Sequence, residues 1–572
     1  MNNNRKSPIR RFIPITDWLR DYGMPALRGD LRAGITVGIL LIPQSMAYAL
    51  LAGMPPVYGF YASIVPLVIY AVFGTSRQLA VGPVAIVSIM VAAGAANLAS
   101  AGTEIYITLV LAISFLVGVT QFLMGLFRMG FLMNFLSKPV LSGFTSAAAF
   151  IIGFSQLGDL MGVEVARSKY AYVMLTEALS RMGQFHGPTL AVGLGSILVI
   201  VALRRWAPRL PAQLLAVVGA ILVAWMMRLD RYGVEIVGSV QAGYPVPSLP
   251  ALAGLPWWQV MPTVLAVAFL GFTSSIALAK AIERRRRSYK VDSNQELFAM
   301  GLANMAGSLF HAYPVAGSFS RTAVNDENGA RTGMALVISA AMVALALLLL
   351  IPLIHYLPYA ALAAIIITAV PGLVEVGEAR FLWRVRRREF RLMLLTFVAT
   401  MALGILEGIG VGVLISLGIV IYQSSYPNIV MLGRIPDSDT YRDLERYPQG
   451  LTQTNTIIVR IDSSLYFANV SYLKEKLEQL EYESGKQLRQ VIIDAVGIND
   501  VDASALHALK DVIDDYRERD IKVIFTGVKG PVRDMFSRSG LDDVVGPEQF
   551  YLDISKAVES LDRESEEVSH LA

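Results

Sequence analysis

Apolar runs long enough to cross a lipid hydrocarbon layer recur through the first three quarters of this chain, and no other feature narrows its fold so far. A hydrocarbon core near 30 Å and a helical rise of 1.5 Å per residue call for about 20 apolar residues per span. Runs at 33–52, 58–73, 105–126, 139–157, 188–204, 212–228, 259–282, 295–310, 331–351, 353–374, 390–406 and 408–424 meet or approach that length. Two others, 83–98 and 317–324, are too short or too broken to span alone. Read as half-helices, they bring the total to fourteen segments, seven in each half.

Charge divides the chain at about the same place as hydropathy. Charged residues make up 16% of the whole, against roughly a quarter in a soluble domain. From residue 437 onward there are 27 acids and 16 bases, a net charge of −11, which leaves 33 bases and 18 acids, or +15, for the rest. Two parts that live in different solvents explain such a split. The reading is an N-terminal segment 1–30, a membrane domain 31–430, a soluble domain 437–560 and a disordered acidic tail 561–572. No cleavage site follows the first run, which therefore reads as a retained span. With no cysteine in the chain, disulfides, zinc–thiolate sites and iron–sulfur clusters are excluded. The five histidines are scattered without metal-ligand spacing, so no metal and no cofactor is expected.

Loop charges test the count of fourteen. An even number of segments puts both termini on one side, where Lys and Arg should concentrate. Arg5, Lys6, Arg10, Arg11, Arg77, Arg128, Lys138, Arg204, Arg205, Arg209, Arg284 to Arg287, Lys290 and the basic stretch 380–391 all fall on the same side. The opposite loops carry Arg167, Lys169, Arg181, Arg228 and Arg231. The bias places both termini and the soluble domain in the cytoplasm of a multi-pass protein of the plasma (inner) membrane. The two interrupted segments are each third in their half, and paired breaks of that kind point to the binding site of an inverted-repeat transporter. Beyond Pro436, strand-like runs at 456–461, 490–493 and 522–526 alternate with amphipathic helices at 470–480, 503–517 and 532–537. That alternation predicts a small sheet covered by helices.

Several motifs together resemble the SulP anion transporters, the family that includes solute carrier family 26. They are Pro43-Gln-Ser-Met-Ala-Tyr-Ala49 with Gly59-Phe-Tyr61, Gly74-Thr-Ser-Arg77 leading to Val81-Gly-Pro83, Asn294-Gln-Glu-Leu297, Gly301-Leu-Ala-Asn304, and the stretch from Pro314 to Asn325. The soluble part resembles a STAS domain, through Val491-Ile-Ile-Asp494 and Asp502-Ala-Ser504. The resemblance implies a seven-plus-seven inverted repeat, similar to uracil transporters, in which a core domain carries the site and moves against a gate domain. It also implies a homodimer and a cytoplasmic regulator at the STAS domain. Sulfate is the cargo implied first, with bicarbonate, chloride or a dicarboxylate as alternatives and an anion channel as a further one.

An anion site has a physical basis in the two half-helices. A helix N-terminus carries about half a positive charge and unpaired N–H groups, so two such ends aimed at one point favour a small inorganic anion. The turns concerned are Gly82, Pro83, Val84 and Ala85 in one segment and Gly317, Ser318, Phe319 and Ser320 in the other. Arg321 adds a full positive charge, and family analogy puts it with Ser320 at the pocket. Gln44 and Tyr48, four residues apart, share one helix face, and the family positions they match line the pocket. Ser274 stands where many relatives carry a coupling acid; with Thr273 and Ser275 it offers only neutral oxygens. This weakens proton coupling there and favours exchange or uncoupled transport. Glu296 reads as a structural residue at a helix start, and Arg284 to Arg287 as an anchor able to attract anionic lipid. Ser504 matches a serine phosphorylated in anti-sigma-antagonist relatives of the STAS domain, with a plain helix cap as the simpler reading. No nucleophile–histidine set, phosphate-binding glycine loop or metal motif is present, which argues against an enzyme, and no nucleic-acid partner is expected.

Overall fold

The computed structural model describes residues 12–571 apart from 97, 136, 166, 167, 169, 209, 239–242, 485 and 486. Arg5, Lys6, Arg10, Arg11, Arg167, Lys169 and Arg209, counted above among the loop charges, lie outside the described residues, as does Ala572. The chain divides into two compact units, 1–416 and 417–572.

In the first unit the helices are α1 (Met24–Leu51), α2 (Val65–Phe73, entered through the short helix Val57–Tyr61), α3 (Ala85–Ala95), α4 (Glu104–Leu126), α5 (Lys138–Ser155), α6 (Gly187–Trp206) and α7 (Ala212–Met227). The second half repeats the series with α8 (Trp257–Arg286), α9 (Ser293–Leu309), α10 (Phe319–Glu327), α11 (Met334–Leu349), α12 (Tyr359–Ala369), α13 (Arg387–Leu403) and α14 (Ile405–Ser425), the last of which runs past the boundary at 416. Among the described residues, seven helices are long and apolar enough to cross a membrane when α5 and α12 are counted with the helices that continue them, and α7 and α11 are shorter apolar helices. Helix α1 begins nine residues before the apolar run, and its Asp30, fully buried, holds the turn that leads into α11. Its carboxylate accepts from the Arg331 amide (2.6 Å), the Thr332 amide (3.0 Å) and the Thr332 hydroxyl (2.5 Å). Helix Ala171–Ser180 has too little apolar length to register as a span, and the amphipathic helix Val376–Val385 registers only as the continuation of α12.

Packing displays the repeat. Helix α1 packs on α11 as α8 packs on α4, α10 on α1 as α3 on α8, α2 on α11 as α9 on α4, and α5 on α13 as α12 on α6. Exchanging the halves maps each pair onto its counterpart. The pairs sort into two bodies, one of α1–α4 with α8–α11 and another of α5–α7 with α12 and α13; α1 meets the second body at α7 and α12. Small residues allow the closest approaches, as expected between membrane helices. A Cβ on Gly301 of α9 would lie 2.4 Å from the Phe122 backbone nitrogen of α4.

At 11 and 9 residues, α3 and α10 cover about 16 and 13 Å, roughly half the hydrocarbon thickness. Each is preceded by extended backbone: β1 (Val81–Gly82) and β2 (Ala316–Gly317) cross antiparallel, with Val81 opposite Gly317 and Gly82 opposite Ala316.

The second unit is a six-stranded sheet ordered β4-β3-β5-β6-β7-β8. Its strands are β3 (Ile429–Arg434), β4 (Tyr441–Asp443), β5 (Thr456–Ile461), β6 (Gln490–Asp494), β7 (Lys522–Thr526) and β8 (Phe550–Tyr551). Strands β5 to β8 pair in parallel, and β3 pairs antiparallel with β4 and β5. Side chains alternate across the sheet. Ile457, Val459, Val491, Ile493, Val523 and Phe525 pack under α15 (Val470–Ser484), α16 (Ala503–Glu518) and α17 (Gly530–Ser539). On the other face Ile458, Ile492 and Ile524 pack against Ala557, Val558 and Leu561 of α18 (Ile554–Leu571). The tail 561–572 was expected to be disordered, whereas α18 continues through Leu571; its apolar positions 554, 557, 558 and 561 recur at helical spacing and cover the open face of the sheet. The sheet also begins before residue 437, with β3.

Candidate functional site

Irregular backbone inside a membrane must have its polar groups satisfied by protein, and the crossing of β1 and β2 shows how. The Ser318 amide donates to the Ala80 carbonyl at 3.0 Å. The Ala80 amide donates to the Thr322 hydroxyl at 2.9 Å, the Gly317 amide to the Ser275 hydroxyl at 2.8 Å, and the Val315 amide to Asn304 Oδ1 at 2.8 Å. Asn304 in turn donates to Gln121 Oε1 at 2.9 Å. Side chains of α4, α8, α9 and α10 thereby fix two strand ends in the interior. Helix α3 starts at Ala85 with Val84 as its N-cap, so Pro83 stands just outside the helix rather than in its first turn, as the sequence had suggested. Helix α10 starts at Phe319, where the Ser318 hydroxyl accepts from the Arg321 amide.

Both half-helices therefore open at the same crossing, and each leaves its first N–H groups without an intrahelical partner. Val84 is the extended N-cap of α3, and Ala85 is its first residue. Phe319 and Ser320 are exposed at the first turn of α10, while Ser318 is buried and its hydroxyl lies 3.4 Å from that of Ser320.

Arg321 is placed differently from its neighbours. It has no exposed surface and lies behind the crossing. Nη2 donates to the Pro83 carbonyl at 2.7 Å and Nη1 to Gln44 Oε1 at 3.3 Å, while Nε has no partner. The guanidinium thus ties α10 to the start of α3 and to α1, and brings a charge to the junction. Gly82, at φ +150°, gives it room: a Cβ there would lie 3.2 Å from Nη2. Tyr48 is buried one turn beyond Gln44 on α1. Gln44 and Arg321 are brought together, with Pro83 and Gly82 against them.

The three hydroxyls of α8 divide. Thr273 and Ser274 donate to their own helix, to the Phe269 and Gly271 carbonyls at 2.7 and 3.1 Å. Ser275 donates to the Gly271 carbonyl at 2.5 Å and accepts from Gly317, so it is the one that reaches the crossing. Nearby acids are structural. Glu296 accepts from the Tyr70 hydroxyl, the Thr75 amide and the Thr75 hydroxyl, each at 2.6 Å, and from the Ser76 amide at 3.0 Å, so it holds the end of α2 and the turn after it, while Asp292 caps its own helix. Arg285 and Arg286 are not simply an anchor. Both pair with Asp326 at the end of α10, Arg286 at 2.7 Å, where they meet the helix's negative end.

Sequence reasoning did not single out Gln213 or Gln121, and it gave Asn304 only as part of a motif and Asp326 no role at the end of α8. Each is a polar side chain within or beside an apolar run, and that was the signal available. In the second unit Asp502, rather than Ser504, caps α16: its carboxylate accepts from the Ala505 amide at 2.8 Å and the Phe467 amide at 2.9 Å. Ser504 is exposed in the first turn.

Inverted-repeat packing, two half-helices opening at one crossing and an appended α/β sheet define a membrane transporter of the anion-carrier class. The chain belongs to the Sulfate permease family, whose sequence profile matches residues 27–396, and a STAS domain profile matches residues 447–557. It is 39% identical over 568 residues to sulfate transporter 4.1, chloroplastic, of Arabidopsis thaliana, covering 96% of this chain and 82% of that protein. It is 33% identical over 544 residues to the probable sulfate transporter MT1781 of Mycobacterium tuberculosis (strain CDC 1551 / Oshkosh), covering 95% and 97%. The structure of murine Solute Carrier 26 family member A9, an anion transporter in its inward-facing state, shares the fold with a TM-score of 0.90 at 24% identity, covering 98% and 96%.

Proposed function

We propose that this chain carries sulfate across a membrane by alternating access, with the anion held where α3 and α10 open at the β1–β2 crossing. The observation that carries the reading is the junction itself: two helix N-termini and a wholly buried arginine converge on one point. The names of the relatives at 31–39% identity, sulfate transporters over nearly their whole length, support the cargo. In this reading Gln44, Tyr48, Gly82, Pro83, Val84, Ala85, Gly317, Ser318, Phe319, Ser320 and Arg321 shape the site. Phe319 and Ser320 form its open edge, and Arg321 its charged back wall. The body of α1–α4 and α8–α11 moves against the other. Transport is not coupled to protons through Ser274, whose hydroxyl is spent on its own helix.

The protein has no catalytic role in this account. The membrane in this reading is the plasma membrane; loop charges support both termini and the STAS domain on its cytoplasmic side, and the family resemblance supports a homodimer. The exposure of Ser504 supports a regulatory contact or modification there. Purified protein in proteoliposomes should take up labelled sulfate saturably, faster with sulfate inside, and unlabelled sulfate should compete better than bicarbonate, chloride, nitrate or fumarate. A different winner would reassign the cargo, and large unitary currents would replace the carrier with a channel.

A further inference from the structure

A polar contact between Gln44 and Gln213 crosses between the two bodies and ends at the proposed anion site. Gln213 lies in the first turn of α7, a helix whose other fifteen residues are Ala, Leu, Val, Gly, Ile, Trp and Met. A carboxamide in such a helix is costly unless hydrogen-bonded. Gln213 is buried, and its Oε1 accepts from Gln44 Nε2 at 2.9 Å. Gln44 Oε1 in turn accepts from Arg321, which donates to the Pro83 carbonyl as well. A guanidinium can only donate. Gln44 must therefore turn its oxygen to Arg321 and its amino group to Gln213, and Gln213 must answer with oxygen. The direction of the whole series follows from chemistry, whatever the ambiguity of amide orientation.

Two features make this series responsive. Its link from Arg321 to Gln44, at 3.3 Å, is longer and weaker than the 2.7 Å bond to Pro83. Arg321 Nε is wholly buried without a partner, so the guanidinium holds unused donor capacity beside the junction. An anion that draws the guanidinium toward it weakens the longer link first. Gln44 is then free of the constraint that aims its amino group at α7.

We propose that Gln213 is a positioning residue through which occupancy of the anion site alters the contact between the two bodies, by way of Gln44. This rests on reading the junction as the anion site. The alternative is a passive amide pair that helps two membrane helices pack.

The absence of native cysteine makes the test clean. Ala216, buried one turn after Gln213 on α7, is changed to cysteine in the full chain, and its labelling by a small thiol reagent is followed in proteoliposomes with and without sulfate. Sulfate is expected to change the labelling rate at least threefold. Adding Gln213→Leu should abolish that response and lower Vmax for sulfate uptake at least fivefold, with KM within twofold. Gln44→Leu combined with Gln213→Leu should label as Gln44→Leu does alone, because both cut one series. Gln213→Met, of similar volume, replaces Gln213→Leu if the latter fails to fold. A sulfate response that persists in the Gln213 variants, or is absent with Gln213 intact, overturns the proposal. Failure of the underlying reading looks different: the parent takes up no sulfate, or Arg321→Gln leaves KM unchanged.

Discussion

Arg321→Gln puts the proposed site under the most direct strain. In the native chain the guanidinium gives a 2.7 Å bond to the Pro83 carbonyl and a 3.3 Å bond to Gln44, from a position with no solvent access. A bond from a charged donor contributes about 1.5–3 kcal/mol, and a buried acceptor left unpaired costs about 1–3 kcal/mol. Gln is shorter, brings no charge and cannot serve both acceptors. The start of α3 then loses its tie to α10, and the anion loses the nearby positive charge. If that loss of about 1.5–3 kcal/mol falls on anion binding, KM for sulfate rises by roughly 10- to 150-fold, since 1.4 kcal/mol is a factor of ten. Arg321→Lys keeps the charge but not the planar fork, and a rise of about tenfold is expected. The assay is initial-rate sulfate uptake in proteoliposomes across a concentration series, normalised to folded protein by size exclusion and thermal unfolding. A variant that keeps the native KM and loses only Vmax, in proportion to lost folded protein, refutes the reasoning. Arg321 would then be a structural tie and nothing more.

Other expectations are independent of that one. Glu296→Gln replaces a carboxylate that accepts four bonds with a group that must turn donors toward donors; a loss of about 3 kcal/mol should appear as a clearly lower unfolding temperature, with KM unchanged in the protein that remains. Gly301→Val puts carbon against the α4 backbone, so expression of folded protein should collapse, whereas an Ala at exposed Gly410 should be tolerated. Ser274→Ala should leave the ratio of uptake with and without an inward proton gradient as in the native chain; a changed ratio would give Ser274 a coupling role. Burial holds the Asp494 carboxyl above its ordinary 3.8. The folded state therefore binds more protons than the unfolded one just above that value, and the cost to the STAS unit grows as pH rises through this window. Asp494→Asn should slow hydrogen exchange in β6 at pH 7, and the gain should shrink toward pH 4.

The sequence announced the membrane unit well because burial in lipid forces a simple signal. Runs of about 20 apolar residues and a bias in loop charge follow from the solvent, not from tertiary detail. The broken segments were legible for the same reason: 83–98 and 317–324 could not span, and α3 and α10 are short. What tertiary structure decides was less visible. Nothing local says that Arg321 turns inward to Pro83, since that requires the crossing of β1 and β2 to exist first. Helix Ala171–Ser180 and strand β3 have too little local pattern to stand out. The acidic stretch 563–567 suggested disorder and hid α18, whose apolar stripe has meaning only against Ile458, Ile492 and Ile524. The pairing of Asp326 with Arg285 and Arg286 likewise depends on where the end of α8 falls in three dimensions.

The central claim is that an anion sits between the openings of α3 and α10. The most direct measurement is an experimental density map of the full chain at saturating sulfate, compared with one at zero sulfate. The account predicts added tetrahedral density within hydrogen-bond distance of backbone amides at the starts of α3 and α10, lost in Arg321→Gln. Density instead in the cavity lined by Asp159, Glu235, Tyr58 and Tyr61, with the junction unchanged, would contradict it.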